Sequence, residues 1–414
     1  MRDAYGWTMP YYRILMLAPT GFFADYGCHV RIRGQALALR DRGHDVHLCT
    51  YPGGRDVPGL PTIRPPLLPK GREMPVGSSW RKVGLDLWLT PTAWAATLRL
   101  RPDILHAYLH EGALIAAVIR RLPRPLGWRV PVVFDFQGSL TAEMLDHRFI
   151  SHRSPFLPPL RWLERWIDHQ PDAILASSSL ATHLLADHFS VPAEHITHLP
   201  DSVDPEVFRP PTSSDEAALM ALRQRLGLPN NRPLVVYLGL LAPYQGTDLL
   251  LQTIAHMAAS SAEPMPHFLI MGFPDVEHYR NQAAALGVAA YVTFTGAIPY
   301  EEAPHYLALG DVAVAPKLSA TEGSGKLLTY MAVGLPVVAT DTFVHREYLG
   351  ELGIYARPGD AAAFAEALQR ALADLPDSSA RGQALRDVVV HRYTWDHAAR
   401  QIESVYAHLL GQRS

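Results

Sequence analysis

The residues best suited to chemistry lie together in residues 314–340. An apolar run, Val312–Ala315, predicts a buried strand of a parallel sheet, and a loop of small and hydroxyl residues follows over 319–325. Residues 326–333 predict a helix that begins where this loop ends. Backbone N–H groups at a helix start bind anions, usually phosphates, and the carboxylate of Glu322 can accept hydrogen bonds from sugar hydroxyls. The alternative is an ordinary strand–loop–helix crossover in which Glu322 binds nothing.

Further polar residues stand beside other predicted strands. Gln137 follows the strand Val132–Phe136, and His106, His110 and Glu111 stand at or after the end of another strand. Ligands of open α/β sheets bind beyond the carboxyl ends of the strands, so these side chains are candidates for substrate contact. With 20 histidines in the chain, any single one is more often incidental. No metal site is expected, because there is no Asp-x-Asp and no pair of histidines at helical spacing with a third ligand.

The elements that must position these residues form two halves of similar design. Each half alternates short apolar strands with helical segments, which predicts an α/β fold of two Rossmann-like, doubly wound domains facing each other across a cleft. We expect an N-terminal domain over residues 1–205 and a C-terminal domain over 206–392, with a polar connection over 210–231. A final amphipathic helix, about 393–414, is expected to return to the first domain. The first loop has no GxGxxG, so a nicotinamide site is not indicated.

Bulk properties limit where the protein works. The chain of 414 residues is 48% hydrophobic and 19% charged, as in soluble globular proteins. Two cysteines, Cys28 and Cys49, make no disulfide framework, which indicates a reducing compartment. No run is long enough for a signal peptide core or a membrane span, and a net charge of −3 does not suggest a nucleic-acid partner. We therefore expect a cytoplasmic protein.

The tryptophans raise a second possibility for localisation. Six of the eight fall within residues 80–166, together with many arginines. Tryptophan and arginine on one helix are typical of an interfacial segment, and residues 161–168 fit best. Peripheral contact of the N-terminal domain with the inner face of the membrane is one interpretation. Packing of these tryptophans in the core or between domains is the more common one.

Residues 314–340 resemble the donor-site signature of the retaining GT-B glycosyltransferases of the group 1 or family 4 type. The run Tyr-Met-Ala-Val-Gly-Leu-Pro-Val-Val at 330–338 matches the end of that signature. Segments 102–107, 199–210, 238–246 and 294–300 are similar to four further motifs of the family, in the same order. The resemblance therefore covers most of the chain and implies a metal-independent, hexosyltransferase-like enzyme that uses a nucleotide-diphosphate sugar as co-substrate and no cofactor.

The resemblance also assigns the donor site. Glu322 is expected to hold the donor sugar, and the family's phosphate-binding Arg and Lys and its second Glu fall here on Leu240, Gln245 and Thr329. Because both phosphate-binding charges are missing, we expect Lys326, Lys317 and the backbone at the helix start to replace them. Thr329 either contacts the ribose or only fills the helix. The predicted donor-binding set is Gly27, Gly239, Gln245, Gly296, Lys317, Glu322, Gly323, Ser324, Gly325, Lys326 and Thr329.

The acceptor side is less constrained. Gly27 resembles the N-terminal glycine loop of the family, and Gln137 occupies the position of its strand-end histidine. Glutamine can hydrogen-bond a sugar but cannot act as acid or base. The predicted catalytic residues are Glu322, Gln137 and His106, and the predicted acceptor-binding residues are His29, His110 and Glu111. The acceptor is a glycan, a lipid or a small molecule.

Two other functions remain open on the sequence. The missing Arg, Lys and Glu are also compatible with a degenerate GT-B protein that binds a glycan or a partner without catalysis. A GT-B sugar epimerase or phosphorylase would carry a similar donor signature. Products of the reaction would separate these functions, because only a transferase yields a free nucleotide together with a new glycoside.

Overall fold

The computed structural model describes residues 11–25, 27–66, 80–121, 128–146, 149–260, 265–318 and 323–411. The chain divides into two compact units. The first comprises Met1–Pro200, Thr321–Gly323 and Trp395–Ser414, and the second comprises Asp201–Ala320 and Ser324–Thr394. Each unit is built around one parallel sheet.

The first unit contains a seven-stranded sheet in the order β3-β2-β1-β4-β5-β6-β7, with every pairing parallel. The strands β4, β5 and β6 are buried along their whole length, as expected of a parallel sheet covered on both faces. The strands are β1 Arg13–Ala18, β2 Asp45–Thr50, β3 Thr62–Ile63, β4 Ile104–Tyr108, β5 Val132–Phe136, β6 Ala173–Ala176 and β7 Ile196–His198. The helices between them are α1 Gly27–Asp41, α2 Trp80–Leu100, α3 Leu109–Ile119, α4 Leu140–Asp146, α5 Leu157–Asp168 and α6 Ser179–His183.

The second unit contains a six-stranded parallel sheet in the order β10-β9-β8-β11-β12-β13. Its strands are β8 Leu234–Leu238, β9 His267–Met271, β10 Val292–Gly296, β11 Val312–Ala315, β12 Val337–Thr340 and β13 Ile354–Ala356. Its helices are α7 Glu216–Arg225, α8 Thr247–Ala259, α9 Val276–Ala285, α10 Ala303–Leu307, α11 Gly325–Val333, α12 Phe343–Leu349, α13 Ala361–Ala373 and α14 Leu375–Arg392. Apolar clusters cover both faces of the sheet.

The last helix, α15 (Trp395–Gly411), is part of the first unit and packs on α1. A side chain at Gly34 would collide with the ring of Trp395, so the small residue lets the two helices approach. Arg42, which follows α1 directly, donates to Asp396 and Glu403 of α15, with N···O distances of 2.9 and 2.7 Å. The first unit is therefore assembled from both ends of the chain.

The predicted elements agree with the structure for most strands. The edge strands Thr62–Ile63 and Ile354–Ala356 were not predicted, because two or three residues carry little periodicity. The strand predicted over 104–106 continues to Tyr108, so His106 lies inside β4 and not at its end. In the polar connection over 210–231, Leu222 and Leu228 pack in the core of the second unit, so this stretch is part of that unit.

The clustered tryptophans divide between core and surface. Trp128 and Trp166 pack against the core of the first unit, whereas Trp88, Trp94 and Trp162 are exposed. Among the described residues, no helix combines the length and the apolar character needed to cross a membrane.

Candidate functional site

Three glycines meet at the carboxyl ends of adjacent strands in the second unit. Gly239 follows β8, Gly272 follows β9 and Gly296 ends β10. The N–H of Gly239 donates to Met271 O at 3.0 Å, and the N–H of Gly272 donates to Gly296 O at 3.0 Å. A side chain at Gly272 would collide with the carbonyl of Gly239. Three neighbouring strand ends therefore offer backbone without side chains, which gives a ligand room to approach the sheet.

Lys326 places its ammonium group at this edge. Its Nζ donates to Gln245 Oε1 at 3.0 Å and lies 4.6 Å from the ring centre of Tyr237. A methyl group at Gly239 would lie 2.7 Å from the same nitrogen. The structure thus brings together three of the predicted donor-binding residues, Gly239, Gln245 and Lys326. Tyr237, which supports the lysine, was missed by the sequence analysis because it lies inside a buried strand.

The loop after β11 is fixed against the turn that carries Gln245. The N–H of Leu318 donates to Tyr244 O at 2.9 Å, and the hydroxyl of Thr340 donates to Lys317 O at 2.6 Å. Gly246 has a φ of 81°, and a side chain there would collide with Pro316 O. Lys317 is only 3% exposed. The position of Lys317 is therefore set by backbone contacts on two sides.

The start of α11 holds the remaining donor residues that the structure describes. Ser324 precedes the helix, is 2% exposed, and its Oγ has no hydrogen-bond partner among the described residues. A methyl group at Gly325 would lie 3.3 Å from Asp201 Oδ2, so an acidic side chain that the sequence analysis did not select stands beside the helix start. The hydroxyl of Thr329 donates to Lys326 O at 2.7 Å, as a residue that fills a helix does.

Two further donor residues were predicted in the loop before α11. Glu322 lies outside the described residues. Gly323 is grouped with the first unit.

In the first unit, Gln137 follows β5 directly. The hydroxyl of Ser177 donates to Gln137 O at 3.1 Å, which holds the backbone of this residue. The Nε2 of Gln137 is buried and has no hydrogen-bond partner among the described residues. Gly27 begins α1, and no described atom lies within 4 Å of the place where its side chain would be.

His29 is fully buried and fixes the loop before α1. The N–H of Ala24 donates to His29 Nδ1 at 2.8 Å, so the proton is on Nε2, which lies 2.6 Å from the hydroxyl oxygen of Thr20. Burial, with a smaller contribution from Lys82, lowers the pKa of His29 to about 3. The ring has no exposed surface from which to contact an acceptor. His29 therefore holds the loop before α1, and its part in acceptor binding stays a prediction.

His106 is also enclosed and does not stand where a catalytic base would. Its Nδ1 lies 2.6 Å from the hydroxyl of Tyr406, and its ring stacks on Tyr108 with centres 4.7 Å apart. Burial lowers its pKa to about 4. The strand-end position predicted for His106 was wrong because β4 is two residues longer than the apolar run suggested.

His110 and Glu111 begin α3 immediately after β4, where Leu109 has a φ of 60°. Glu111 is partly exposed, with its Oε1 3.9 Å from Lys82 Nζ. His110 is buried between Phe134 and Phe136 and faces the carboxylates of Glu164 and Asp168. Burial opposes protonation of this ring, but the two carboxylates dominate and raise its pKa to about 9.

A buried ion pair beneath the end of β5 was not predicted. The guanidinium of Arg31 donates to both carboxylate oxygens of Asp135, at 2.8 and 2.9 Å, and to Leu199 O at 2.9 Å. Gln35 Nε2 donates to Asp135 Oδ2 at 2.8 Å. The signal was an aspartate inside the apolar run Val-Val-Phe-Asp-Phe, which requires a buried cation.

The sequence matches two family models. Residues 27–207 match the model described as Glycosyltransferase Family 4, and residues 232–374 match the one described as Glycosyl transferases group 1. The two matches lie in different units, so each sheet has its own match.

Curated relatives agree with these matches. The chain is similar to a D-inositol 3-phosphate glycosyltransferase of Corynebacterium aurimucosum, with 25% identity over 74% of this chain and 71% of the relative. It is also similar to a GDP-mannose-dependent alpha-(1-6)-phosphatidylinositol monomannoside mannosyltransferase of Mycobacterium tuberculosis, with 31% identity over 59% of this chain and 64% of the relative.

Solved structures show the same fold. Sucrose-phosphate synthase from Thermosynechococcus elongatus has a TM-score of 0.80 and 20% identity, covering 97% of this chain and 100% of that chain. The Anabaena protein HepE in complex with UDP-glucose has a TM-score of 0.75 and 16% identity, covering 96% of this chain and 100% of that chain. At these identities the likeness establishes the fold alone.

Proposed function

The chain belongs to the group 1 glycosyltransferases of the family 4 type, and we propose that it moves a sugar from a nucleotide-diphosphate sugar to an acceptor hydroxyl. We further propose that the anomeric configuration is retained and that no metal ion binds the diphosphate. The acceptor is a glycan, a lipid or a small molecule.

The observation that carries this proposal is the position of Lys326. Departure of a nucleoside diphosphate requires positive charge or N–H donors at its phosphates. Lys326 Nζ lies at the edge formed by Gly239 and Gln245, and Ser324 and Gly325 stand at the N-terminus of the same helix. A cation and the N-terminus of a helix thus converge on one place. Lys326 therefore replaces the phosphate-binding Arg and Lys of the family, which this chain lacks. Lys317 is the second cation.

Glu322 is assigned to the donor sugar. A carboxylate accepts several hydrogen bonds and suits sugar hydroxyls better than phosphate. The names of the relatives do not agree on a nucleotide, since one is GDP-mannose-dependent and one neighbour was solved with UDP-glucose. The base and the sugar are therefore left to experiment.

Transfer follows a front-face course. The bond between the anomeric carbon and the diphosphate oxygen breaks, the acceptor oxygen bonds to the same face of that carbon, and the departing phosphate takes the acceptor's proton. Gln137 and Gly27 are assigned to the transfer site, and Glu111, which is partly exposed, is assigned to the acceptor. Because glutamine is neither acid nor base, its part is to orient a hydroxyl.

The test begins with thermal shift of the purified chain against UDP-, GDP-, ADP- and dTDP-sugars, each with and without magnesium. One nucleotide class should raise the melting temperature regardless of magnesium, with stabilisation of about 2.7 kcal/mol at a hundredfold excess over Kd. Product analysis with that donor should then give free nucleoside diphosphate and a new glycoside of unchanged anomeric configuration.

Single substitutions test the roles proposed for Lys326 and Glu322. Lys326→Ala should weaken donor binding at least about tenfold, in line with loss of a charge-assisted hydrogen bond of about 1.5–3 kcal/mol. Arg232→Ala is the matched control, because Arg232 also lies over a tyrosine ring of the second unit, Tyr291, but outside the cluster. Glu322→Ala should abolish transfer and leave the fold intact.

Three results would contradict the proposal. Wild-type turnover in Glu322→Ala would remove that residue from the reaction. Equal losses in Lys326→Ala and Arg232→Ala would show a general effect on stability. No shift with any donor would favour a binding protein without catalysis.

A further inference from the structure

Three ligand-type side chains meet inside the first unit. His110 lies in the first turn of α3, and Glu164 and Asp168 lie one turn apart on α5. His110 Nε2 is 3.4 Å from Asp168 Oδ1 and 3.7 Å from Glu164 Oε1. The ligand atoms of the three residues all lie within 4.8 Å of one another. The sequence analysis missed this cluster because it looked for paired histidines, whereas the helical pair here is Glu164 and Asp168.

Within the described part of the chain, the inward-facing atoms of this cluster have no hydrogen-bond partners. All three side chains are nine-tenths or more buried. Among the described residues, His110 Nε2, Glu164 Oε1 and both oxygens of Asp168 lack a hydrogen-bond partner. Buried polar atoms are nearly always satisfied by protein, water or an ion. Four unsatisfied atoms at one point indicate that something else occupies their centre.

The charge of the cluster points to a cation. If both carboxylates are ionised, the cluster carries two negative charges with a neutral imidazole, and a protonated His110 compensates only one of them. A buried charge without a counter-charge is strongly unfavourable. A divalent cation neutralises both carboxylates and leaves the imidazole neutral.

The geometry fits a small transition metal. In tetrahedral zinc sites with bonds of about 2.0–2.2 Å, ligand atoms lie about 3.3–3.6 Å apart. The two measured distances from His110 Nε2, 3.4 and 3.7 Å, are close to that range and too long for good hydrogen bonds. An imidazole ligand also favours zinc over magnesium or calcium, which prefer oxygen ligands alone.

A second layer of contacts already orients one ligand. The N–H of Thr141 donates to Glu164 Oε2 at 3.1 Å, and the hydroxyl of Thr141 donates to the same oxygen at 2.5 Å. These bonds fix the carboxylate and leave Oε1 facing the cluster. Hydrogen bonds to the outer atom of a ligand are typical of metal sites.

We propose that His110, Glu164 and Asp168 bind one zinc ion, with a water molecule as the fourth ligand. The ion joins α3 to α5 and, through Thr141, to the start of α4. Its part is to stabilise the fold of the first unit, since the ligands are enclosed among aromatic side chains. The site does not depend on the proposed transfer reaction.

The primary test is the zinc content of the full chain, expressed with zinc in the medium and measured by elemental mass spectrometry after gel filtration. The wild type should hold about one zinc ion per chain. His110→Ala, Glu164→Gln and Asp168→Asn should each lower the content at least tenfold. His183→Ala is the control, because His183 and Asp187 form an exposed pair at 3.9 Å without a third ligand.

A second measurement uses the wild type alone, so that misfolding of a variant does not decide the outcome. Removal of zinc with a chelator should lower the melting temperature, and zinc should restore it where magnesium does not. Cobalt(II) added to the chelated protein should give visible absorption bands, and zinc should then remove them.

The proposal is overturned if the wild type holds no zinc and neither zinc nor cobalt(II) changes its melting temperature or spectrum. It is also overturned if Glu164→Gln and Asp168→Asn keep the zinc of the wild type. In either case the cluster is an ion group centred on a protonated His110.

Discussion

The two sheets share one architecture but place their charges differently. The first unit buries Arg31, Asp135, Glu164 and Asp168 beside its central strands. Among the described residues of the second unit, histidines apart, the charged side chain of comparable burial is Lys317, which lies beyond the end of a strand.

The difference shows two ways in which the end of a strand can be held in place to bind a ligand. In the first unit, buried charged side chains hold the strand ends. Arg31 donates to Asp135, which precedes Phe136 and Gln137 at the end of β5. In the second unit, glycines and backbone hydrogen bonds form the edge at the carboxyl ends of the strands, and polar side chains lie beyond that edge. Substitutions should therefore disturb the two units in different ways.

The largest effect is expected when the buried pair is broken. Arg31→Met leaves Asp135 without its cation and should lower the free energy of unfolding by about 3–5 kcal/mol. Denaturant unfolding measures this change. Arg346→Met is the control from the second unit, because Arg346 donates to Asp341 in an exposed pair, which should contribute about 0–1 kcal/mol. Equal losses in the two variants would contradict the contrast between the units.

The next effect concerns backbone packing in the second unit. Gly246→Ala places a side chain against Pro316 O at a positive φ. It should lower the free energy of unfolding by about 1–3 kcal/mol and should also weaken donor binding. Gly287→Ala is the control, since Gly287 has a φ of 72° but no neighbour within 4 Å of the added group. If both variants lose the same stability and keep donor binding, the close approach at Pro316 has no functional importance.

The third prediction uses pH. Burial lowers the pKa of His106 in the first unit and of His345 in the second to about 4, from 6.5. Between pH 6.5 and 4 the unfolded chain binds protons that these folded rings do not, so stability falls as the pH falls. Each histidine should contribute a slope of up to about 1.4 kcal/mol per pH unit.

Unfolding of His106→Phe at a series of pH values checks this sign. The variant should show a shallower loss of stability on acidification than the wild type. An unchanged slope would mean that His106 is protonated in the folded state.

The smallest expected effect is at the start of α11. Asp201 stands beside Gly325, where its negative charge opposes a phosphate at the helix N-terminus. Asp201→Asn should tighten donor binding by about twofold to fivefold, as expected from an interaction of about 0.3–1 kcal/mol. Titration calorimetry with the donor measures the change. Weaker binding would show that the carboxylate itself contacts the donor.

The fold could be predicted well from the sequence because each buried strand of a parallel sheet is a short apolar run that is visible locally. Strands such as Val132–Phe136 and Leu234–Leu238 are continuous apolar runs and agree with the structure at both ends. The family motifs supplied the order of the two domains. His106 was misplaced because the predicted strand ended at this polar residue, two residues before the end of β4.

The buried contacts could not be predicted in the same way. Arg31 and Asp135 are 104 residues apart, and His106 and Tyr406 are 300 residues apart, so no local pattern links them. The spacing of Glu164 and Asp168 is visible in the sequence, but their convergence on His110 depends on how α3 packs against α5. The pairing of Lys326 with Gln245 likewise required the sheet to bring the loops after β8 and β11 together.

The composition of the first unit from both chain ends has a consequence during synthesis. When Pro200 has left the ribosome, α1 and β4 still lack α15, which supplies Trp395 for Gly34 and the hydroxyl of Tyr406 for His106. At about 5–20 residues per second, the intervening chain takes roughly 10–40 s to make. All residues of the second unit are made in that interval, so this unit is complete first. The nascent first sheet lacks its last helix until then, and chaperones have that interval in which to bind it.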